Sequence, residues 1–270
     1  MSLFITIKRG MNRTKTIVIF LMLFLLAIFS FYFQAMLDFG NSVSTLRSAY
    51  ENTMLISLEL RFIMLIMTLI GPLIISFAFG DIYFDDLDSN CISLILTREE
   101  KRKYHRNNLL AVFIISFFIM LIPLLINLGL CMYTYPLTGF DNSTCTPAYV
   151  ISKAPVNSLE YLRIYNPLRY NMIYIITPSI IFALFASVTY CISIVIKTNK
   201  YLCCLISYGI YIGFNLILEK LHMDKYKLFN YMNPLAPNMG LQGFIKDVIV
   251  IIIFILILYF IGVKREIDIN

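Results

Sequence analysis

Residues 16–37 read TIVIFLMLFLLAIFSFYFQAML, a stretch of 22 residues that contains no charged side chain. A helix needs about 20 mainly apolar residues to cross the hydrocarbon core of a bilayer. The stretch is apolar on every side, which is typical of a membrane-spanning helix and differs from the alternating pattern of a barrel strand. We therefore predict a first transmembrane helix at 16–37.

Five further apolar stretches follow and complete a single membrane domain over residues 1–270. The chain is 59% hydrophobic and 14% charged, whereas soluble domains average about 45–50% and about 25%. This composition excludes an ordinary soluble protein. The predicted fold class is an all-α integral membrane protein with six transmembrane helices. The predicted spans after the first are 56–80, 108–136, 171–196, 201–220 and 243–263.

The distribution of basic residues predicts the orientation of the chain, because Lys and Arg in short loops mark the cytoplasmic side. Thirteen of the 22 Lys and Arg residues lie in the two terminal tails, the loop between spans 2 and 3, and the link between spans 4 and 5. We predict that both termini are cytoplasmic in a multi-pass protein of a bacterial plasma membrane. Basic residues beside spans contact membrane lipids, so the net charge of +6 does not indicate a nucleic-acid partner.

The segments that flank the spans differ in character. Residues 1–15 are amphiphilic and predict a short interfacial N-terminal helix. The outer loop at 38–54 is expected to be short and polar. The segment at 219–243 contains Pro234 and Pro237, which predict a broken outer segment before span 6.

Four residues are candidates for an outer gate or a substrate path. Gly71 and Pro72 interrupt span 2 and predict a kink or local unwinding there. Tyr161 and Tyr165 are four residues apart, so a helical turn stacks them on one face. The alternative for the two tyrosines is an aromatic belt at the level of the lipid headgroups.

The loop between spans 2 and 3 is the most informative polar segment. Residues 80–108 read GDIYFDDLDSNCISLILTREEKRKYHRNN. Asp81, Asp85 and Asp88 are spaced so that a helix places three carboxylates on one face. Ser89 is a favourable residue for the start of a new helix.

A short apolar helix is predicted to follow at Ile92–Leu96, and its apolar residues include Ile95. Charged clusters flank it on both sides, a pattern that favours docking onto a partner protein over a solvated charged loop. A calcium loop that begins at Asp86 is the alternative, but it lacks the turn glycine and the bidentate glutamate. The residues that complete the candidate partner surface are Thr97, Arg98, Glu99 and Glu100.

The basic amphiphilic N-terminus, the six spans and the loop pattern GD…D…S…L…TR… together resemble the ABC-2 type family of ABC transporter permeases, in the compact form of low-GC Gram-positive bacteria. In that family the loop carries a coupling helix that sits in a groove of the ATPase subunit. The chain has Asn90 where many members have glycine, and it lacks their proline near the end of the loop. The positions that match the family's loop are Asp81, Asp85, Asp88, Ser89, Thr97, Arg98 and Glu99.

This resemblance implies the membrane-spanning subunit of an exporter that moves an amphiphilic peptide, a lipid-like molecule or an antibiotic. It also implies two nucleotide-binding ATPase subunits, which would hold ATP and Mg, and a second permease copy or a paralogue. The residues agree with a separate motor, because the chain contains no G-x-x-x-x-G-K-[ST] motif to cradle phosphates. We therefore expect a non-catalytic permease with no cofactor of its own.

Charged residues are scarce within the predicted spans. Glu59, Arg61, Glu219 and Asp247 lie near span ends and are expected to reach the membrane interface. A carrier driven by protons needs a buried titratable group, so this class is not favoured. His105 is expected at the surface of the basic loop.

The six cysteines show neither the spacing of a metal site nor that of a disulfide framework. Most are interpreted as small apolar packing residues. A disulfide between Cys131 and Cys145 stays open, provided that both reach the outer face.

A non-transport membrane protein is the alternative function, either an immunity protein against a membrane-active peptide or a sensor that binds one. The loop between spans 2 and 3 distinguishes the two functions. Replacing Arg98, Glu99 and Glu100 together should uncouple a pump and leave an immunity scaffold active.

Overall fold

The structure is a computed structural model that describes residues 3–89, 92, 100–138, 159–197, 199–234 and 240–268. Regular structure in these residues is helical, with short 3₁₀ turns at Val43–Thr45 and Asp224–Tyr226. The α-helices are α1 (Leu3–Met11), α2 (Thr14–Asp38), α3 (Arg61–Phe79), α4 (Ile82–Asp88), α5 (Lys101–Thr134), α6 (Leu159–Tyr165), α7 (Pro167–Val195), α8 (Lys200–Lys220), α9 (Leu228–Met232) and α10 (Leu241–Asp268).

Six helices are long and apolar enough to cross a membrane, which confirms the predicted number of spans. They are α2, α3 with α4, α5, α7, α8 and α10. Two ends differ most from the prediction: the second span continues through α4 to Asp88, eight residues beyond its predicted end, and α5 begins at Lys101, seven residues before the predicted span. Its first turns are rich in Lys and Arg, which are good helix formers with long side chains that reach water.

Both termini lie at one end of the bundle, which we call the basic end. Arg265, near the C-terminus, donates a hydrogen bond to the carbonyl of Val195 at 3.3 Å. Tyr259 donates another to the carbonyl of Arg102 at 3.1 Å. The predicted N-terminal helix is present as α1 and contacts α5 near this end, while its position at a membrane surface stays a prediction.

The central helix is α7, which packs against α3, α5, α8 and α10. Its sequence alternates bulky apolar residues with Ala, Ser and Thr, and small residues let neighbouring helices approach closely. The hydroxyls do not remain unpaired in this apolar interior. Ser187 donates to the carbonyl of Ala183 at 2.9 Å, and Ser207 of α8 donates across the helix contact to the carbonyl of Phe185 at 3.0 Å.

The predicted interruption of span 2 takes a different form in the structure. Helix α3 is helical from Arg61 to Phe79 with Pro72 inside it, so the predicted local unwinding is absent. Gly71 instead provides space, because a Cβ atom at this position would lie 2.5 Å from Cε2 of Phe182 in α7. The glycine therefore sets how closely α3 and α7 approach.

The end of the bundle opposite the basic end is closed by residues 48–57, which are buried apart from the half-buried Tyr50. The second half of the predicted short polar loop at 38–54 is therefore buried, which the sequence does not predict. The backbone N–H of Met54 donates to the side chain of Asn127 in α5 at 2.8 Å, and Thr53 donates to Asn171 in α7 at 3.1 Å. Polar side chains from two spans thus supply the hydrogen bonds that a buried loop needs.

Replacing Gly71 by Ala should destabilise the protein by about 1–3 kcal/mol, because the added methyl overpacks the contact with Phe182. Gly129→Ala is the matched control, since no atom lies within 4 Å of a Cβ at this exposed helical position. Thermal unfolding in detergent micelles measures both. Equal midpoints for the two variants would contradict the close contact, and a Phe182→Leu change should partly rescue Gly71→Ala.

Candidate functional site

Six charged residues at the basic end form one ionic cluster. It joins the α1–α2 junction to the α3–α4 junction. Arg13 contacts Asp81 at 2.7 Å and also pairs with Asp85, while Lys15 contacts the second oxygen of Asp81 at 2.8 Å. Arg9 of α1 completes the cluster by pairing with Asp86 of α4.

Asp86 also ties α5 into the ionic cluster. Tyr104, in the first turn of α5, donates its hydroxyl to Oδ2 of Asp86, and Arg9 donates to Oδ1 of the same carboxylate. Both carboxylate oxygens are thus paired with groups from different helices. A single buried side chain holds α1, α4 and α5 together.

Burial makes these ion pairs structurally important. The side chains of Asp81 and Asp86 are 2% and 3% exposed, and a buried charge is strongly unfavourable unless it is paired and hydrogen-bonded. Pairing offsets this cost here, because two cationic groups meet Asp81 and one meets Asp86. Separating α1 from α4 would leave the buried carboxylate of Asp86 without its cationic partner.

A layer of buried aromatic side chains lies beside the ionic cluster. His105 contacts the hydroxyl of Tyr190 at 3.0 Å, and its ring packs edge-on against Tyr104. His105 is 1% exposed, so the expectation that it lies at the surface is wrong. It sits on the inward face of α5, while Arg102 and Arg106 of the same turns face outward.

The three aspartates predicted to share one helix face have different surroundings. Asp81 is buried, Asp85 is partly exposed and Asp88 is exposed at the end of α4. The chain between Phe79 and Ile82 is not continuously α-helical, which changes the direction of Asp81 relative to α4. The carboxylate of Asp81 is buried and pairs with Arg13 and Lys15, and its predicted place in a partner surface stays a prediction.

The remaining predicted loop residues fall partly within the described part of the chain. Ser89 is exposed and donates its hydroxyl to the carbonyl of Asp85 at 2.7 Å. Ile92 is partly buried against the main core, and Glu100 is exposed directly before α5. Four other predicted residues, and with them the proposed coupling helix, lie outside the described residues. They are Ile95, Thr97, Arg98 and Glu99.

Five residues of the site were not predicted from the sequence, namely Arg9, Arg13, Lys15, Asp86 and Tyr104. A signal for the ion pairs was present, because the basic cluster at 8–15 and the acidic cluster at 81–88 were both predicted on the same side of the membrane. Opposite charges confined to one side attract, and the basic residues were instead interpreted as lipid contacts. No sequence signal distinguished Asp86, which is buried, from Asp88, which is exposed.

A buried ion pair also holds the opposite end of the bundle. Arg163 of α6 makes a two-pronged contact with Glu51, with 2.5 Å between Nε and Oε1. Their side chains are 5% and 7% exposed, and the guanidinium lies 5.8 Å from the ring centre of Tyr170. The pair fastens the buried residues 48–57 to α6.

The predicted stack of Tyr161 and Tyr165 is confirmed. Their ring centres are 4.2 Å apart in α6, with an angle of 30° between the planes. The hydrogen bond with Tyr165 raises the pKa of the Tyr161 hydroxyl above its ordinary value. A role as an outer gate stays a prediction for these tyrosines and for Gly71 and Pro72, which are both buried.

Two further sequence predictions concern single residues, Asp247 and Cys131. Asp247 is 5% exposed in α10, and its Oδ2 has no hydrogen-bond partner within the described part of the chain. The side chain is thus buried inside the protein, and its expected position at the membrane interface stays a prediction. Cys131 is buried and lies 3.4 Å from the carbonyl of Asn52, while Cys145 lies outside the described residues, so a disulfide between them stays a prediction.

The site consists of ion pairs and hydrogen bonds that join helices. The ionic cluster opens on a cavity of about 340 Å³ that both arginines line. Among the described residues, no group of three or more His, Cys, Asp or Glu side chains is arranged to hold a metal ion. Ion pairs link α1, α2 and α4, and the hydrogen bond from Tyr104 adds α5, directly beside the loop that is predicted to be a partner surface.

Comparison of the chain with protein-family models, with curated proteins and with solved structures finds no match. The functional assignment therefore depends on the residues and on their arrangement.

Replacing Asp86 by Asn should lower the free energy of unfolding by about 1.5–3 kcal/mol, the range for hydrogen bonds to charged groups. The loss stays below that for a fully buried pair because Arg9 is 36% exposed. Asp88→Asn is the matched control on the same short helix, at an exposed position. Thermal unfolding and protease cleavage within residues 3–13 are the measurements. Unchanged protection of α1 in Asp86→Asn would contradict this role.

Replacing Glu51 by Leu should destabilise the protein by about 3–5 kcal/mol, because Arg163 keeps a buried charge without its carboxylate. Glu59→Leu provides the control, since Glu59 is exposed on the same segment. The double variant Glu51→Leu/Arg163→Met should be more stable than Glu51→Leu alone. Chemical denaturation in micelles measures all three, and a double variant no more stable than the single one would count against the pair.

Proposed function

We propose that this chain is the membrane-spanning subunit of an ATP-driven exporter of amphiphilic molecules. ATP would be hydrolysed by two separate subunits that dock at the basic end, which we place in the cytoplasm of a bacterial cell. The observation that carries the proposal is the ionic cluster. It connects α1, α2, α4 and α5 next to the loop at 89–100.

The ionic cluster can transmit a displacement of one helix to the helices paired with it. A motor that pushes on residues 89–100 moves α4 and α5, because the loop is covalently joined to both. The pairs of Asp86 with Arg9 and of Asp81 with Arg13 then make α1 and α2 follow. Packed helices and charge networks transmit displacement well when they have two discrete arrangements.

The composition of the bundle supports an amphiphilic substrate. The centre of a single chain is occupied by α7, and nearly all of its membrane-embedded side chains are buried inside the protein. A polar solute would need a hydrated path, which a second permease copy or a paralogue would have to complete. The outward faces are rich in Ile, Leu and Phe and suit a molecule that travels along the boundary between protein and lipid.

The central test is co-purification followed by reconstitution. The tagged chain, extracted from its native membranes in mild detergent, should bring with it a polypeptide that contains a phosphate-binding G-x-x-x-x-G-K-[ST] motif. The pair in proteoliposomes should then hydrolyse ATP and release a fluorescent amphiphile in an ATP-dependent manner. Failure to recover any such ATPase would overturn the proposal and favour the immunity or sensor function.

Replacing Arg98, Glu99 and Glu100 together by Ala should abolish ATP-dependent release, because the motor loses its contact with the loop, while thermal stability changes little. The control variant Glu219→Ala/Lys220→Ala/Asp224→Ala removes the same set of charges from exposed positions at the opposite end. Surface pairs there contribute at most about 1 kcal/mol, so transport should persist. Equal transport by both triple variants would contradict docking at this loop.

A further inference from the structure

An apolar groove of about 570 Å³ lies between α1, the first turns of α2 and the middle of α5. Small-molecule sites in proteins span about 300–1,000 Å³, so the groove is large enough for a flexible chain. Of its eleven lining side chains, all except Thr16 are apolar. Thr16 donates its hydroxyl to the carbonyl of Ala78 at 3.0 Å, which leaves little polar character in the groove.

The location of the groove determines what can enter it. Its floor contains the buried residues Ile115 and Ile119, and its rim contains Ile17, Leu21 and Phe118, which are 44–49% exposed. All five belong to helices that are apolar enough to cross a membrane. Apolar cavities are poor sites for water, so the groove would be filled by bilayer hydrocarbon.

Helix α1 forms a fixed wall of this groove. Ile7 and Met11 line it, while Arg9 points to the other side of α1 and pairs with Asp86. Gly10 fits tightly at the crossing point, because a Cβ atom there would lie 2.4 Å from Ile115. The ionic cluster therefore holds α1 in place from the side opposite the groove.

Lys8 supplies a positive charge at the same wall. It is exposed beside Ile7 and one helical turn before Met11, and it forms no ion pair with any residue that the structure describes. Arg9, Arg13 and Lys15 all pair with aspartates instead. Lys8 is thus the basic residue of α1 that is available to an anionic group outside the protein.

We propose that the groove binds an acyl chain of an anionic glycerophospholipid from the leaflet at the basic end, with the phosphate beside Lys8. An apolar groove and an adjacent exposed ammonium match the two parts of such a lipid. This binding site does not depend on the exporter function. The lipid would pack against the face of α1 that carries Ile7 and Met11, opposite the face that the ionic cluster holds.

The absence of tryptophan from the sequence allows a direct test. Phe118→Trp places one fluorophore at the rim of the groove, and Phe29→Trp places one at an exposed position of α2 outside it. Each variant is reconstituted in vesicles of equal parts phosphatidylglycerol and phosphatidylcholine, with bromine, a contact quencher, on the acyl chains of one lipid at a time. We expect stronger quenching by brominated phosphatidylglycerol at position 118 and equal quenching by both lipids at position 29.

The contribution of Lys8 is tested in the Phe118→Trp background. A basic residue at a membrane surface contributes about 1 kcal/mol toward anionic lipid, so Lys8→Gln should reduce the preference for phosphatidylglycerol about fivefold. Lys264→Gln is the control, at an exposed position near the C-terminus. A preference that survives Lys8→Gln would overturn the assignment of the phosphate to Lys8.

Equal lipid preference at positions 118 and 29 would show only the general lipid shell around the protein and would overturn the groove as a binding site. If Phe118→Trp does not fold, Leu21→Trp replaces it as the reporter at the rim. Leu25→Trp, one turn further along the same helix and also exposed, is then the control. A preference for phosphatidylglycerol at position 21 but not at position 25 would support the proposal, and equal lipid preference at both positions would overturn it.

Discussion

Pairing of buried carboxylates with arginines of the N-terminal segment organises the basic end of the bundle. Asp81 and Asp86 would be strongly unfavourable in this apolar setting without Arg13 and Arg9, so the position of α1 and the start of α2 is linked to the α3–α4 junction. Tyr104 extends the same network into α5. Charge, rather than apolar contact alone, therefore decides which helix ends meet. A motor acting at the neighbouring loop would act on this linked unit and not on a single helix.

A buried ion pair also stabilises the opposite end of the bundle. Glu51 and Arg163 pair within a buried region and fasten residues 48–57 to α6. Between the two ends runs α7, and small residues let its neighbours pack closely against it, as where Gly71 of α3 meets Phe182 of α7. The bundle is thus held by charge at both ends and by close packing in the middle.

The sequence predicts the six spans well, because a charge-free stretch of 22 residues such as 16–37 has few alternatives to a membrane helix. It predicts the tyrosine stack equally well, since spacing along a helix fixes that contact. It does not predict the burial of Asp86 or His105, which depends on the rotation of α4 and α5 within the bundle. It also misses the burial of residues 48–57, because their hydrogen-bond partners come from spans far along the chain.

That burial has a consequence for biogenesis. Residues 48–57 leave the ribosome well before Asn127 and Asn171, the side chains that satisfy their backbone and hydroxyl groups. Until those later spans are inserted, the segment has no partners in an apolar environment and stays solvated at the membrane surface. The two ends of the protein thus mature at different times: α1, α2 and α4 can pair as soon as the second span is inserted, whereas the far side closes only after the fourth.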